Sequence, residues 1–184
     1  MQLELIAHAK DATRPAPILF VHGAWHAAWC WENFLPYFAQ RGYAAYAVSL
    51  RGHGASAGRD KLCWHSAARG YVADVAQVAQ TLDRPPILVG HSMGGYVVQK
   101  YLEQHTAAAV LMASIPVSGI LGYGIRTALR HPWPFLKAHL LLSPWYLVGT
   151  PKLMRDAFFL AAGAGRRNRA AFCTFATRVV SHGT

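Results

Sequence analysis

Short apolar runs, each closed by glycine, proline or polar residues, recur along the first part of the chain. Residues 17–21 (PILFV), 44–50 and 87–90 have this form, which is typical of strands buried in a parallel sheet. Residues 2–7 alternate weakly and predict an edge strand, and residues 108–113 predict one more strand.

Helical spacing of apolar residues separates these strands. Residues 30–40, 72–82 and 94–104 each carry one apolar stripe and predict three helices. Alternating strands and helices with short links predict an α/β fold, a mostly parallel twisted sheet with flanking helices. In such a sheet functional residues lie in loops at the carboxyl ends of the strands.

The pattern changes after residue 118. Residues 120–159 are rich in aromatic residues and prolines and predict a helical insertion with an apolar inner surface. This surface covers a pocket above the strand ends, or it is ordinary core packing, and both alternatives stay open. The predicted organisation is therefore a core at 1–118, a helical insertion at 119–160 and an atypical basic tail at 161–184.

Composition narrows the function classes. The 184 residues are 53% hydrophobic, as for one folded domain with a substantial core. The net charge is +10, but the basic residues are scattered and no nucleic-acid-binding motif accompanies them, so we expect no nucleic-acid partner. The three cysteines form no C-x-x-C pair, so neither a disulfide framework nor a metal site is predicted. We expect no cofactor.

Targeting signals are also lacking in the sequence. The first residues, MQLELIAHAK, do not combine a basic segment with an apolar run, so no signal peptide is predicted. No apolar stretch reaches about 18 residues, so no membrane span is predicted either. A cytoplasmic location is the resulting expectation.

One serine lies between glycines where a predicted strand meets a predicted helix. The residues are Gly90-His91-Ser92-Met93-Gly94, and a sharp turn of this kind lifts a serine nucleophile above the sheet. Gly90 and Gly94 remove side chains that would collide with neighbouring backbone. The N–H of Met93, at the start of the helix, is then a candidate oxyanion donor. The alternative is that Ser92 only caps this helix.

The loop after residues 17–21 offers a second donor. It begins His22-Gly23-Ala24, where Gly23 permits an unusual backbone angle and the N–H of Ala24 is the natural candidate.

Three segments together resemble the α/β-hydrolase superfamily, in particular its small lipase-like and esterase-like members. They are HGAWHAAWCW, SLRGHGAS and GHSMGG, and the resemblance extends over about residues 3–159. It implies an eight-strand sheet with a helical cap, a nucleophile at Ser92, and oxyanion donors at Ala24 and Met93. It also implies hydrolysis of a carboxylic ester or related acyl bond in a small-molecule substrate. Because the superfamily also contains hydroxynitrile lyases, cofactor-free haloperoxidases and perhydrolases, the substrate does not follow.

The acid and histidine that such an enzyme needs after its nucleophile are hard to find. Asp156 is the one acid after Glu103, and His182 is the one histidine after His139. We therefore expect an incomplete α/β-hydrolase fold with a partial cap, truncated before the acid and histidine, and impaired activity. His182 is a candidate base. The unusual tail leads to the hypothesis of a shifted reading frame or a premature end, with a natural basic tail as the alternative.

The remaining titratable residues near the predicted strand ends are interpreted as structural. His22, His26, His53 and His91 are expected to order loops or line the cleft mouth rather than transfer protons. Asp74, on the second predicted helix, is expected to be solvated. The alternative function is a non-catalytic or truncated hydrolase-fold protein that binds small apolar ligands. A partner chain that completes the fold is a further alternative, and the sequence leaves the oligomeric state open.

Overall fold

The computed structural model describes residues 1–9, 11–59, 67–118, 121–140, 144–147, 149–150 and 152–153. Contacts between Cα atoms divide the chain into two compact units, Met1–Gly119 and Ile120–Thr184.

Five short strands form one sheet in the first unit. They are β1 (Leu5–His8), β2 (Ile18–Val21), β3 (Ala45–Val48), β4 (Ile87–His91) and β5 (Ala109–Met112). The order across the sheet is β1-β3-β2-β4-β5; β1 runs antiparallel to β3, and the other neighbours are parallel. The prediction of a mostly parallel α/β sheet with an N-terminal edge strand is confirmed. The described residues hold five strands, fewer than the eight that the resemblance implies.

The strand register brings the predicted functional loops to one edge of the sheet. Val21, the last residue of β2, pairs with Val48 on β3 and with Gly90 on β4. The loops that begin at His22 and Ser49, and the turn at Ser92, therefore leave the sheet at the same level, as expected for parallel strands.

Helices cover both faces of this sheet. They are α1 (Phe34–Ala39), α2 (Ala67–Gln80) and α3 (Met93–Leu102). The prediction of one continuous helix over residues 30–40 is wrong, because a short 3-10 helix, Ala28–Trp31, precedes α1 and is separate from it. Pro36 explains the break, since it has no N–H to donate to the carbonyl of Glu32 and its ring would clash with that carbonyl.

The alternation of side chains along β2 builds a core on each face. Leu19 and Val21 pack in a buried cluster with residues of α2 and α3. Ile18 and Phe20 pack on the other side with Trp31 and residues near α1, and the Phe20 and Trp31 ring centroids are 4.8 Å apart. Since β2 is buried at all four positions, the strand that carries the first functional loop is held from both sides.

The last described strand lies at the edge of the sheet. Among the described residues β5 pairs with β4 alone, and Val110 and Leu111 are 50% and 45% exposed. Exposed apolar residues on an edge strand favour aggregation.

The described part of the second unit is helical. It contains α4 (Leu121–Arg130), α5 (Pro132–Leu140) and a short 3-10 helix, Pro144–Leu147. Several large apolar side chains of α4 and α5 are exposed: Ile125, Leu129, Trp133, Leu136 and Leu140. Among the helices described, none combines the length and the apolar character needed to cross a membrane. The tail predicted at 161–184 lies outside the described residues.

Candidate active site

Ser92 occupies a strained turn between β4 and α3. Its φ of 53° and ψ of −115° are values that a residue with a side chain rarely adopts. The backbone around it is fully engaged: the Ser92 N–H donates to the Met112 carbonyl at 3.0 Å, and the Ser92 carbonyl accepts from the N–H of Ile115 at 3.1 Å and of Tyr96 at 3.2 Å. The sharp turn expected from the sequence is therefore present, and hydrogen bonds to the end of β5 and to the chain just after it help to hold it.

Close backbone packing explains the two glycines of this turn, which we call the β4 turn (residues 90–94). A Cβ on Gly90 would lie 2.6 Å from the Gly94 carbonyl oxygen and 2.7 Å from the Cα of Gly95. A Cβ on Gly94 would collide with the Val21 carbonyl oxygen and lie 2.6 Å from that of His22. The absence of side chains at Gly90 and Gly94 therefore lets α3 begin directly against the ends of β2 and β4.

The hydroxyl of Ser92 is not a helix cap. Ser92 precedes the first residue of α3, but its side chain makes no capping hydrogen bond to that helix. The alternative of a purely capping serine is therefore wrong.

The turn after β2 lies against the β4 turn. We call residues 22–26 the β2 turn. A Cβ on Gly23 would be 3.4 Å from the Cβ of Ser92 and 3.1 Å from His91 Nδ1, so the two turns touch. Ala24 is exposed. Met93 is the first residue of α3, so its N–H belongs to the first turn, whose N–H groups have no carbonyl partner within the helix.

His22 is buried under the β2 turn and bound at both ring nitrogens. The Leu50 N–H donates to Nε2 at 3.0 Å, so the proton of a neutral ring is on Nδ1, which lies 2.7 Å from the Gly23 carbonyl oxygen. Burial, with a smaller contribution from the nearby His53, lowers the pKa of His22 to about 3. The ring is therefore neutral at physiological pH and orders the loop, in agreement with the structural interpretation.

His53 connects the β2 turn to the loop after β3. Its Nε2 lies 3.0 Å from the Ala24 carbonyl oxygen and its Nδ1 lies 3.0 Å from that of Arg51. Both partners accept hydrogen bonds, so a neutral ring donates to one of them and a protonated ring to both.

His26 and His91 lie beside Gly23. Their rings meet edge to face with centroids 6.1 Å apart. Burial, followed by the charge of the neighbouring His91, lowers the pKa of His26 to about 4, and burial also lowers the pKa of His91. The surroundings of Gly23 therefore favour uncharged imidazoles.

Asp74 is buried, so the prediction that it is solvated is wrong. Its carboxylate accepts from the Arg51 N–H at 2.9 Å and from the Arg51 guanidinium, with Nη2 at 2.7 Å from Oδ1. Asp74 is 0% exposed. The signal was in the helical spacing, because position 74 lies on the same stripe of α2 as the buried residues Tyr71, Val75 and Val78.

A second polar cluster, which the sequence did not indicate, joins the loops at this edge. The Ser49 hydroxyl donates to Glu4 Oε2 at 2.5 Å and accepts from the Ala28 N–H at 2.8 Å. The Ser56 hydroxyl donates to the Ser49 carbonyl and accepts from the Glu4 N–H. Single polar residues at strand ends carry no local pattern, so only their tertiary contacts identify them.

Two predicted site residues belong to the last part of the chain. His182 and Asp156, the candidates for the base and its acid, lie outside the described residues. Within the described ranges, no three histidine, cysteine or acidic side chains are grouped closely enough to hold a metal ion.

Comparisons with known proteins agree with this architecture. The model of the "Alpha/beta hydrolase family" matches residues 18–182, and thus extends past residue 159, where the sequence resemblance was expected to end. A non-heme haloperoxidase of Rhodococcus erythropolis is 38% identical over 114 residues, which are 58% of this chain and 40% of that protein. Methylesterase 3 of Arabidopsis thaliana is 34% identical over 88 residues, which are 47% of this chain and 33% of that protein.

A solved structure gives the same result. A putative aryl esterase from Burkholderia cenocepacia superposes with a TM-score of 0.50 at 30% identity, over 61% of this chain and 43% of that one. The chain thus spans less than half the length of these relatives. Because the family model matches most of its residues, the chain belongs to the alpha/beta hydrolase family.

Proposed function

We propose that the protein is a serine hydrolase that acts on a carboxylic ester or related acyl bond of a small molecule. The observation that carries the proposal is the backbone of Ser92, with φ 53° and ψ −115° between β4 and α3. Strain of about 1–3 kcal/mol at one residue persists only where the surroundings impose it, and such residues cluster at active sites. A nucleophile presented above the strand ends uses this geometry.

The proposed chemistry is acyl transfer to water. The Ser92 hydroxyl attacks the ester carbonyl, the alkoxide leaves with a proton, and water then hydrolyses the acyl-serine. The N–H groups of Ala24 and Met93 stabilise the negative oxygen of each tetrahedral intermediate. A Cβ on Gly23 would lie 3.4 Å from the Cβ of Ser92, and this proximity of the turn that carries Ala24 to the nucleophile supports the assignment. Gly23, Gly90 and Gly94 serve as turn glycines.

The proposed mechanism also requires a base that takes the proton of the Ser92 hydroxyl. His22 offers Ser92 no free acceptor nitrogen, because its Nε2 accepts from the Leu50 N–H and its Nδ1 donates to the Gly23 carbonyl. Both nitrogens of His53 lie against backbone carbonyl oxygens of Arg51 and Ala24. A general base contributes about 10²–10⁴-fold in rate. We therefore propose that this 184-residue polypeptide by itself hydrolyses esters slowly, at about 0.1 s⁻¹ or less against a typical enzyme value of ~10 s⁻¹.

Hydrolysis of p-nitrophenyl butyrate tests these proposals. The purified, folded protein should release nitrophenolate slowly, and Ser92→Ala should reduce the rate to that of buffer. Equal rates for the wild type and Ser92→Ala would refute the nucleophile. Fast turnover that both Ser92→Ala and His182→Ala abolish would instead refute the impairment and identify His182 as the base.

The alternative function is ligand binding without catalysis. The observation in its favour is that all four ring nitrogens of His22 and His53 lie within hydrogen-bond distance of backbone groups. An ether analogue of the ester, which cannot be hydrolysed, is the suitable probe. Equal binding of this ether by the wild type and Ser92→Ala, together with no ester turnover, would favour a binding protein.

A further inference from the structure

Two histidine rings hold consecutive carbonyl groups of the β2 turn. Nδ1 of His22 lies 2.7 Å from the Gly23 carbonyl oxygen. The same oxygen also accepts from the backbone N–H of His26 at 3.1 Å. Nε2 of His53 lies 3.0 Å from the carbonyl oxygen of Ala24, the next residue. The two rings come from different loops but lie side by side, with centroids 4.9 Å apart.

Peptide planarity makes these contacts relevant to catalysis. The Gly23 carbonyl and the Ala24 N–H belong to one planar trans peptide group, so they point in opposite directions. Because the Gly23 carbonyl oxygen accepts a hydrogen bond from the buried His22 ring, the Ala24 N–H points away from that ring. The Ala24 carbonyl fixes the next peptide plane in the same way, so both torsion angles of Ala24 are set.

We propose that His22 and His53 are positioning residues that hold the Ala24 N–H in the orientation needed to receive an oxyanion. This inference rests on the proposed function, since it assigns a role within the same site. His53 is the less expected member, because it lies 29 residues from its partner Ala24.

The anchor of His53 extends to helix α2. Its Nδ1 is 3.0 Å from the Arg51 carbonyl oxygen, and the Arg51 N–H and guanidinium both donate to the buried carboxylate of Asp74. A neutral ring with its proton on Nε2 holds the Ala24 carbonyl alone. A ring that carries both protons donates to both carbonyls, and the path Asp74–Arg51–His53 then joins the β2 turn to a helix that is packed into the core. An anchor of this kind places the turn more accurately than a free loop.

Imidazole suits the position of His22 for physical reasons. A neutral ring can donate from one nitrogen and accept at the other, as His22 does between Gly23 and Leu50, without placing a charge in the interior. The lowered pKa of His22, about 3 because of burial, is consistent with this neutral form.

Two variants separate the hydrogen bond of His53 from its packing. His53→Phe keeps an aromatic ring beside His22 and Tyr71 but has no N–H, whereas His53→Gln keeps a donor near the position of Nε2 but has no ring. His8→Phe changes an exposed histidine on β1 and is the control. The readout is the ¹⁵N NMR order parameter of each backbone amide in the full chain.

We expect the Ala24 and Trp25 amides to be rigid in the wild type, in His53→Gln and in the control, with order parameters of about 0.85. In His53→Phe they should fall below about 0.6, while the Met93 amide keeps its value. Unchanged Ala24 and Trp25 values in His53→Phe would overturn the proposal, and so would equal losses in both His53 variants, since packing alone would then explain them.

Covalent labelling of Ser92 by an aryl fluorophosphonate adds a chemical readout. Loss of one oxyanion donor costs about 10²–10³-fold, so His53→Phe should lower the limiting labelling rate by about that factor, with little change in the concentration for half-saturation. His53→Gln should restore most of the rate. A wild type that is never labelled would count against Ser92 as nucleophile, whereas the order parameters would still decide the role of His53.

Discussion

The two turns that meet at the candidate site are held in opposite ways. The β4 turn depends on side chains that are absent, because a Cβ on Gly90 or Gly94 would collide with backbone atoms. The β2 turn depends on side chains that are present, because His22 and His53 bind its carbonyl oxygens. A sterically fixed turn should fail abruptly when it is altered, whereas a hydrogen-bonded one should loosen by degrees.

The largest expected effect breaks the β4 turn. Gly94→Ala places a methyl group against the carbonyl oxygens of Val21 and His22, which cannot move without shifting β2. We expect a loss of about 3 kcal/mol or more in the free energy of unfolding, measured with urea. Gly124→Ala is the matched control, since nothing lies within 4 Å of the added atom and the helix should gain up to about 1 kcal/mol. Equal effects of the two changes would contradict the steric account.

The next effect loosens the anchor of the β2 turn. Asp74→Asn removes the charge that binds Arg51 while Asp74 is fully buried, so we expect a loss of about 2–3 kcal/mol in urea unfolding. Glu103→Gln breaks the exposed ion pair with Lys100 and should change stability by less than about 1 kcal/mol. If Asp74→Asn lowers the free energy of unfolding by no more than Glu103→Gln does, the ion pair of Asp74 with Arg51 does not stabilise the fold.

Acidification should weaken the β2 turn in particular. His22 has a folded pKa of about 3, so below the ordinary value of about 6.5 the unfolded chain binds a proton that the folded chain does not. The free energy of unfolding should therefore decrease as the pH is lowered from 6.5 to 3, by at most about 1.4 kcal/mol per pH unit for this residue. Urea unfolding at several pH values should give a shallower slope for His22→Asn. An identical slope would mean that His22 is not held neutral.

The smallest effect tests strain in the β4 turn. Since φ is 53° at Ser92, Ser92→Gly should relieve strain that Ser92→Ala retains. We expect the glycine variant to be more stable than the alanine variant by about 1 kcal/mol in urea unfolding. If the alanine variant is the more stable one, the backbone at residue 92 is not strained.

Sequence reasoning succeeded where the signal is local. The serine between Gly90 and Gly94, next to a short apolar run, predicted the strained turn because this pattern of residues is local, although the carbonyl groups next to Gly94 belong to Val21 and His22. It failed where the cause is distant in sequence. The ring of His53 binds a carbonyl 29 residues away, and Asp74 is buried because Arg51, 23 residues earlier, neutralises it.

The break before α1 has a different lesson. Apolar spacing predicted one helix over residues 30–40, and that spacing does continue across the break, since Trp31 and Leu35 share one core cluster. The backbone nevertheless changes between them because Pro36 cannot donate. Periodicity thus indicates which side chains are buried more reliably than it indicates which backbone hydrogen bonds form.

The most direct test of the account is to find where an activated acyl analogue attaches. The protein would be incubated with an aryl fluorophosphonate, digested, and its peptides analysed by mass spectrometry, with Ser92→Ala treated in parallel. We predict a slow adduct on the peptide that contains Ser92, absent from the variant. Prolonged incubation that leaves Ser92 unmodified, or labels the wild type and Ser92→Ala equally at another residue, would contradict the assignment of Ser92 as the nucleophile.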